Sequence, residues 1–410
     1  MFYDHDTFFL ITLISSNFLD VLDILDYLDG DRGRQCLGNL ACMEKVMSES
    51  SQGATGARSK LSPRDRGGNF FAVDRDVWER LWEVEVTNRL NFITAYLVIS
   101  AGTGSDHQLS KWSTKACERH VGIGKPRAKV AIDELIEHGF AAHTEQSSKA
   151  YPQYKLQEIP TDSDPIFLPV GMVTGLAAEA SLLRRVREVG DPMLLRMLVD
   201  LYGLVQIDST YGVPISALSL VAPDDFPARK VFEIGVHAIW ALRLGDGLVS
   251  RGDWMMPHHA KDWSIFWHRL RTLEDIGAIW YEPWVFESGD QDAEPMFPIS
   301  VLTSRSTKAD SDVSRLTDVI QSASEALAED RYYLLEMYSE DVLVPLSRHR
   351  SMPGIRGVAR LRIEADTPGR RWSYRERMRR LETYESGYRA LAREAAIGQY
   401  NHPLNTGVAD

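Results

Sequence analysis

The feature that most constrains this chain is a pair of helical patterns joined by a tight, glycine-containing turn. Ser113 offers an N-cap for a helix running to about His120. Val121, Gly122 and Ile123 then leave room only for a tight turn. Pro126 falls in the first turn of the next helix, where its missing N–H costs nothing. Ala128, Ile132, Leu135 and Ile136 repeat at helical spacing until Gly139 stops the pattern. Upstream, Phe92, Ile93, Tyr96, Leu97 and Ser100 keep the same spacing until Gly102 and Gly104, and Leu109 to Trp112 is long enough only for a brief strand. Downstream, Phe140 to Glu145 and Tyr151 to Gln157 read as two strands around a polar tip. The predicted order is helix, strand, helix, three-residue turn, helix, hairpin.

That order is the winged-helix arrangement, in which the helix after the turn enters the major groove and the hairpin lies against the backbone. The charges fall where that geometry would use them. From Lys111 to Lys129 the bases are Lys111, Lys115, Arg119, Lys125, Arg127 and Lys129, against the single acid Glu118, in a chain whose formal net charge is −12. Lys125 and Lys129, four apart, share an exposed side of the second helix, and Arg127 projects near its start. Arginine can pair bidentately with guanine, whereas lysines hold phosphates. Lys149 and Tyr151 at the hairpin tip add backbone contacts. The plainer alternative is an ordinary solvated helix face, since charge runs usually are.

The segment resembles the winged-helix domains of proteins encoded by phages, plasmids and integrated mobile elements, including the N-terminal domains of replication-initiation and primosome-type proteins. The resemblance rests on Ala95-Tyr96-Leu97-Val98, the Gly102-Thr103-Gly104 break, Trp112-Ser113, and Gly122-Ile123 followed by Lys125 to Leu135 and Gly139. It implies sequence-specific binding of double-stranded DNA, in replication initiation or transcriptional control of a mobile element. It covers about a fifth of the chain and specifies a fold better than a task.

At 410 residues the chain is long enough for two or three globular units. The expected fold class is α+β, mainly α, with tandem winged-helix units and a helical, arginine-rich C-terminal region. Residues 1–69 read as an acidic N-terminal segment and flexible linker, with Met47 an alternative start. Asp20, Asp23, Asp26 and Asp29 there suit a short acidic amphipathic helix. Residues 70–160 form the DNA-binding unit. Thr161 to Pro169 reads as a break of poor helix and strand formers.

A degenerate second winged-helix unit is predicted at 186–303. The run from Leu270 through Leu273 to Gly277 repeats the spacing of Ile132, Leu135 and Gly139, Pro192 to Tyr202 supplies an opening helix, and Ile279 to Phe286 with Met296 to Leu302 a hairpin. Its bases are offset by acids, which suits dimerisation or domain packing. Trp254, Trp263, Trp267, Trp280 and Trp284 read as core rather than as a base-stacking platform. Residues 311–396 are expected to be helical. From Arg348 to Arg393 there are thirteen arginines and no lysine. Arg370 to Arg380, with Arg371 and Arg375 among them, and the aromatic residues Trp372, Tyr374, Tyr384 and Tyr388 could form a basic helix that grips phosphate or stacks on single-stranded bases; pairing with this protein's own acids is the equal alternative.

No enzyme signature emerges. The run Gly122-Ile123-Gly124-Lys125 lacks the first glycine of a phosphate loop and has Pro126 where Ser or Thr should hold magnesium. His258, His259 and His268 match no zinc spacing, and neither cofactor, metal nor catalytic residue is expected. Cys36, Cys42 and Cys117 are an odd number without CxxC spacing, which points to a reducing, cytoplasmic setting. The apolar stretch Phe8 to Ile14 follows Asp4 and Asp6 and is too short to span a bilayer, so no membrane is expected. Expected partners are double-stranded DNA, a second copy of the chain, or replication and transcription proteins. The competing readings are a protein-interaction scaffold and a single-strand binder built on the arginine-rich end.

Overall fold

In the computed structural model, residues 70–175, 179–206, 210, 212–222, 228–245, 247–251, 263–290, 292–301, 310–362 and 368–398 are described. The expectations for residues 1–69, including Met47, Cys36 and Cys42, and those for Trp254, His258 and His259 lie outside them.

The first strand, β1 (Phe70–Val73), leads into α1 (Arg75–Glu83), whose N-cap Asp74 accepts from the Val77 amide at 3.0 Å. Helix α2 (Arg89–Ala101) begins on Asn88, which accepts from the Asn91 amide at 2.9 Å. From Phe92 to Ala101 every residue of α2 is buried, so it is the post around which neighbouring elements pack. Strand β2 (Leu109–Ser110), α3 (Thr114–Val121), α4 (Lys125–Glu137), β3 (Ala141–His143) and β4 (Tyr154–Leu156) follow. The three short strands form one antiparallel sheet in the order β2-β4-β3, with Ser110 and His143 both opposite Tyr154. Each element expected between 88 and 157 is present in the expected order.

The expected break at 161–169 is corrected. Its last part is β5 (Ile166–Pro169), antiparallel to β1 with Phe70 opposite Pro169 and Val73 opposite Ile166. Ile166 and Leu168 turn inward while Phe167 stays exposed, and the prolines Pro165 and Pro169 stand at the margins, where a short pair tolerates them. The pairing with β1 therefore carries the chain's sheet contacts to Pro169, beyond the expected bound of 160. Helices α5 (Gly171–Thr174), α6 (Leu182–Val189) and α7 (Pro192–Tyr202) then cover it.

The second winged-helix unit expected at 186–303 is also corrected. Its helix–glycine–strand step exists: α8 (Trp263–Asp275) ends at Gly277, φ +66°, and Ala278 donates to the Leu273 carbonyl, as Phe140 does to Leu135 beyond Gly139. Between α7 and α8, however, lie β6 (Leu218–Val221), β7 (Arg229–Ile234), β8 (His237–Leu242) and β9 (Leu248–Arg251). The strand after α8, β10 (Ile279–Phe286), pairs on one side with β11 (Pro295–Pro298) and along its full length on the other with β13 (Gly354–Leu361). The resulting antiparallel sheet, β11-β10-β13-β6-β9, needs residues beyond 303, so 186–303 does not close by itself.

The C-terminal region is mixed rather than helical. Between α9 (Ser311–Ala328), the short α10 (Tyr332–Glu336) and the long α11 (Pro368–Ala396) stand β12 (Val342–Ser347) and β13. Strand β12 is an outer strand of a second antiparallel sheet, β12-β8-β7, and Pro345 within it fits that edge position. Leu381, Tyr384, Tyr388, Leu391 and Ala395 form the buried stripe of α11, and the Tyr388 hydroxyl donates to the Pro345 carbonyl at 3.0 Å. Among the described residues, thirteen strands in four antiparallel sheets accompany the helices, which makes the fold a mixed α+β one. None of these helices is long and apolar enough to cross a membrane.

Candidate nucleic-acid interface

The turn between α3 and α4 is built on a backbone conformation that favours glycine. Gly122 lies at φ +69°, the left-handed region, where it ends α3 and donates to the Glu118 carbonyl. Ile123, almost fully buried, donates to the Cys117 carbonyl and turns the chain into α4. Cys117 and Val121 anchor α3, while Ala128, Ala131, Ile132 and Leu135 anchor α4, leaving the polar sides of both helices in water. Burial drives the Cys117 thiol up to about 12.

The start of α3 is set by a close approach. A Cβ on Gly102 would stand 2.3 Å from Trp112 Cγ and 2.5 Å from Trp112 Cβ, so α2 can end beside this tryptophan only without a side chain. The indole in turn stacks on His120, centroids 4.9 Å apart and planes 18° from parallel. Burial, with the Arg119 charge beside it, lowers the His120 pKa.

Lys111, Lys115, Arg119, Lys125, Arg127, Lys129 and Lys149 are all exposed. Lys115 and Arg119 share the outer ridge of α3. Lys125 lies 3.5 Å from Glu118, and Lys129 pairs with Asp133 at 2.5 Å; surface pairs of this kind contribute little and yield readily to a competing anion. At 100° per residue, Arg127 leaves α4 on the flank away from Lys125 and Lys129. There it lines an open groove with Thr87, Asn88, Asn91, Val130 and Glu134. The ridge farthest from the core carries Pro126, Val130, Asp133 and Glu137, with Val130 48% exposed. Lysines and arginine thus border this ridge rather than crown it. Lys149 lies on the loop between β3 and β4, close to Tyr151, which is 77% exposed.

Three residues that no motif singled out complete the turn. They lie on or before α6: Ser181 and Arg184 fall in the interval between the two expected units, and Arg187 just inside the second. Ser181 Oγ donates to the His120 carbonyl at 3.0 Å, Arg187 Nε to Val121 at 2.7 Å, and Arg187 Nη2 to Gly122 at 3.3 Å. Arg184 stands beside Arg187 over Gly122, its Nε 3.6 Å from where a glycine Cβ would be. The available signal was Arg184-Arg185-x-Arg187 in a strongly amphipathic segment, but nothing local shows where such arginines point.

The arginine-rich end is built differently from the turn. Arg360 and Arg377 both reach Glu282, and Arg377 also pairs with Asp310 at 2.8 Å. Arg315 and Arg389 share Glu385, Arg379 pairs with Glu376, and Arg362 with Glu179. Arg356 and Arg380 donate to the carbonyls of Gly289 and Pro295. Most of this positive charge therefore holds the protein together. Arg371 and Arg375 are exposed on α11, one turn apart. Of the tryptophans, Trp284 is fully buried beneath Arg360 and Arg380, whereas Trp267 is 37% exposed. Burial alone would raise the Glu282 carboxyl, but the Arg360 and Arg377 charges, with hydrogen bonds from Arg360 and Trp284, hold it at about 2. Among the described residues, no three His, Cys, Asp or Glu side chains are placed to hold a metal ion.

No protein-family model, curated protein or solved structure matches this chain.

Proposed function

We propose that residues 70–169 act as a winged-helix module that binds double-stranded DNA through the α3–α4 turn. The carrying observation is the set of exposed cations on α3, on the first turns of α4 and at the hairpin tip, in a chain of strongly negative net charge. Affinity for duplex phosphate requires local lysine and arginine, and here that charge is concentrated beside a turn of helix-turn-helix form. Lys115, Arg119, Lys125 and Lys129 serve as phosphate contacts. Sequence is read by Arg127 from its flank and by the ridge of α4, where Val130 suits a thymine methyl and Asp133 or Glu137 a cytosine amino group. Replication initiation or transcriptional control of a mobile element is the task this reading inherits from the resemblance.

The test is fluorescence anisotropy of the full chain with random duplex and single-stranded DNA across a salt series, beside the variant Lys125→Ala/Arg127→Ala/Lys129→Ala. Salt-sensitive duplex binding that the variant loses supports the reading. Duplex binding that the variant retains, or no duplex binding by the natural chain, overturns it.

A second reading has one observation in its favour. The outermost ridge of α4 carries the apolar Pro126 and Val130 with Asp133 and Glu137 and no cation, which suits a protein partner better than duplex phosphate. Under it, α4 binds a protein and the flanking lysines form a polar rim.

A further inference from the structure

Helix α6 brings three arginines to two helix ends. Leu182, Leu183 and Val186 are buried, which orients the helix and leaves Arg184, Arg185 and Arg187 to reach outward. Arg185 Nη1 donates to the Ile276 carbonyl at 2.6 Å, at the end of α8. Arg187 caps the end of α3 through Val121 and Gly122. Arg184 caps nothing. Its side chain is 44% exposed, stands over Gly122 and, among the described residues, pairs with Glu188, one helical turn on, at 2.9 Å. Arg184 and Arg187 thereby stand over the α3–α4 turn, with exposed Lys125 at the start of α4, against the carboxylates Glu118 and Glu188.

We propose that α6 is a third DNA-facing element, with Arg184 contacting a backbone phosphate next to the turn. This inference rests on the duplex-binding reading above. An exposed pair of neighbours on one helix contributes little to stability. A phosphate can therefore take Arg184 from Glu188 at little cost, and the guanidinium's planar fork matches phosphate oxygens. The contact is blind to sequence, because it involves no base edge. Glu188 acts against it, since a carboxylate beside the backbone repels the same phosphate.

The pair supplies its own control. Arg184→Ala and Glu188→Gln break one and the same ion pair, so a purely structural role moves both variants alike. A phosphate contact moves them in opposite directions. In anisotropy titrations of the full chain with random duplex, Arg184→Ala should weaken binding about threefold to tenfold and lower the log–log salt slope by about 0.9. Glu188→Gln should tighten binding about twofold. Arg184→Lys should retain most of the slope, and thermal melts should stay close to the natural chain in all three. Equal shifts, or no shift, in the first two variants overturn the proposal while duplex binding itself stands. Absence of duplex binding by the natural chain overturns the reading beneath it as well.

Discussion

Arg187 donates from Nε to the Val121 carbonyl at 2.7 Å, a bond across 66 residues that ties α6 to the last turn of α3. The carbonyls at a helix end have no partner within the helix, and here a charged donor satisfies two of them. Arg187→Leu should cost about 1.5–3 kcal/mol in urea unfolding. It should also raise amide hydrogen exchange at Ile123 and Gly124 more than in strands β10 and β13. Uniform acceleration across the molecule would instead mean that the bond supports the fold as a whole and not the turn.

Gly102 has an ordinary negative φ, so its requirement is steric: it ends α2 against the Trp112 side chain. Gly102→Ala should destabilise by about 1–3 kcal/mol, the usual cost of overpacking. Loss of the Trp112–His120 stack would register in near-ultraviolet circular dichroism. An unchanged spectrum and melting temperature would show that the indole shifts freely.

Glu282 lies between Arg360 and Arg377, all three side chains less than a fifth exposed. Glu282→Gln leaves two guanidinium groups without their counter-charge and should cost about 3–5 kcal/mol. The pH dependence follows from the depressed carboxyl. Its stabilising contribution is complete above the ordinary glutamate range, near 4.5, and is lost as pH falls toward about 2. The whole span corresponds to roughly 3 kcal/mol. Acid titrations of stability should therefore be flatter for Glu282→Gln than for the natural chain between those limits, and parallel curves would count against the ion network.

Val130 sits at the centre of the α4 ridge, 48% exposed, so Val130→Lys should leave stability within about 0.5 kcal/mol. If α4 lies in a DNA groove, the new cation should tighten binding to random duplex and steepen its salt dependence. If the ridge docks a protein, duplex binding should not change.

Cys117 is completely buried on α3, with its thiol pushed up to about 12 by loss of hydration. Alkylation by iodoacetamide at pH 8, read by peptide mass mapping, should leave Cys117 unmodified in the native protein and modify it in denaturant. Labelling of the native chain would reveal opening of the α2–α3 contact.

Sequence alone determined the local grammar of residues 88–157. Gly122, Pro126 and Gly139 punctuate helices whose apolar spacing is short-ranged and strong, so elements, order and turn were all legible. The outcome of long-range choices was not. Strand β5 hides among prolines and aspartates because its partner β1 lies nearly a hundred residues earlier. Strand β10 looks like half of a local hairpin, and only its pairing with β13 makes it an inner strand of a larger sheet. The same limit governs charge. An arginine's sequence neighbourhood says that it is charged, not whether it meets water, a carbonyl or a buried carboxylate. Tertiary structure decided that Arg360 and Arg377 neutralise Glu282, that Arg187 caps α3, and that Arg184 stands exposed over Gly122. The physical reason is one of range: helix and turn preferences act within a few residues, whereas the partner of a long, flexible cation is chosen only after distant segments have packed.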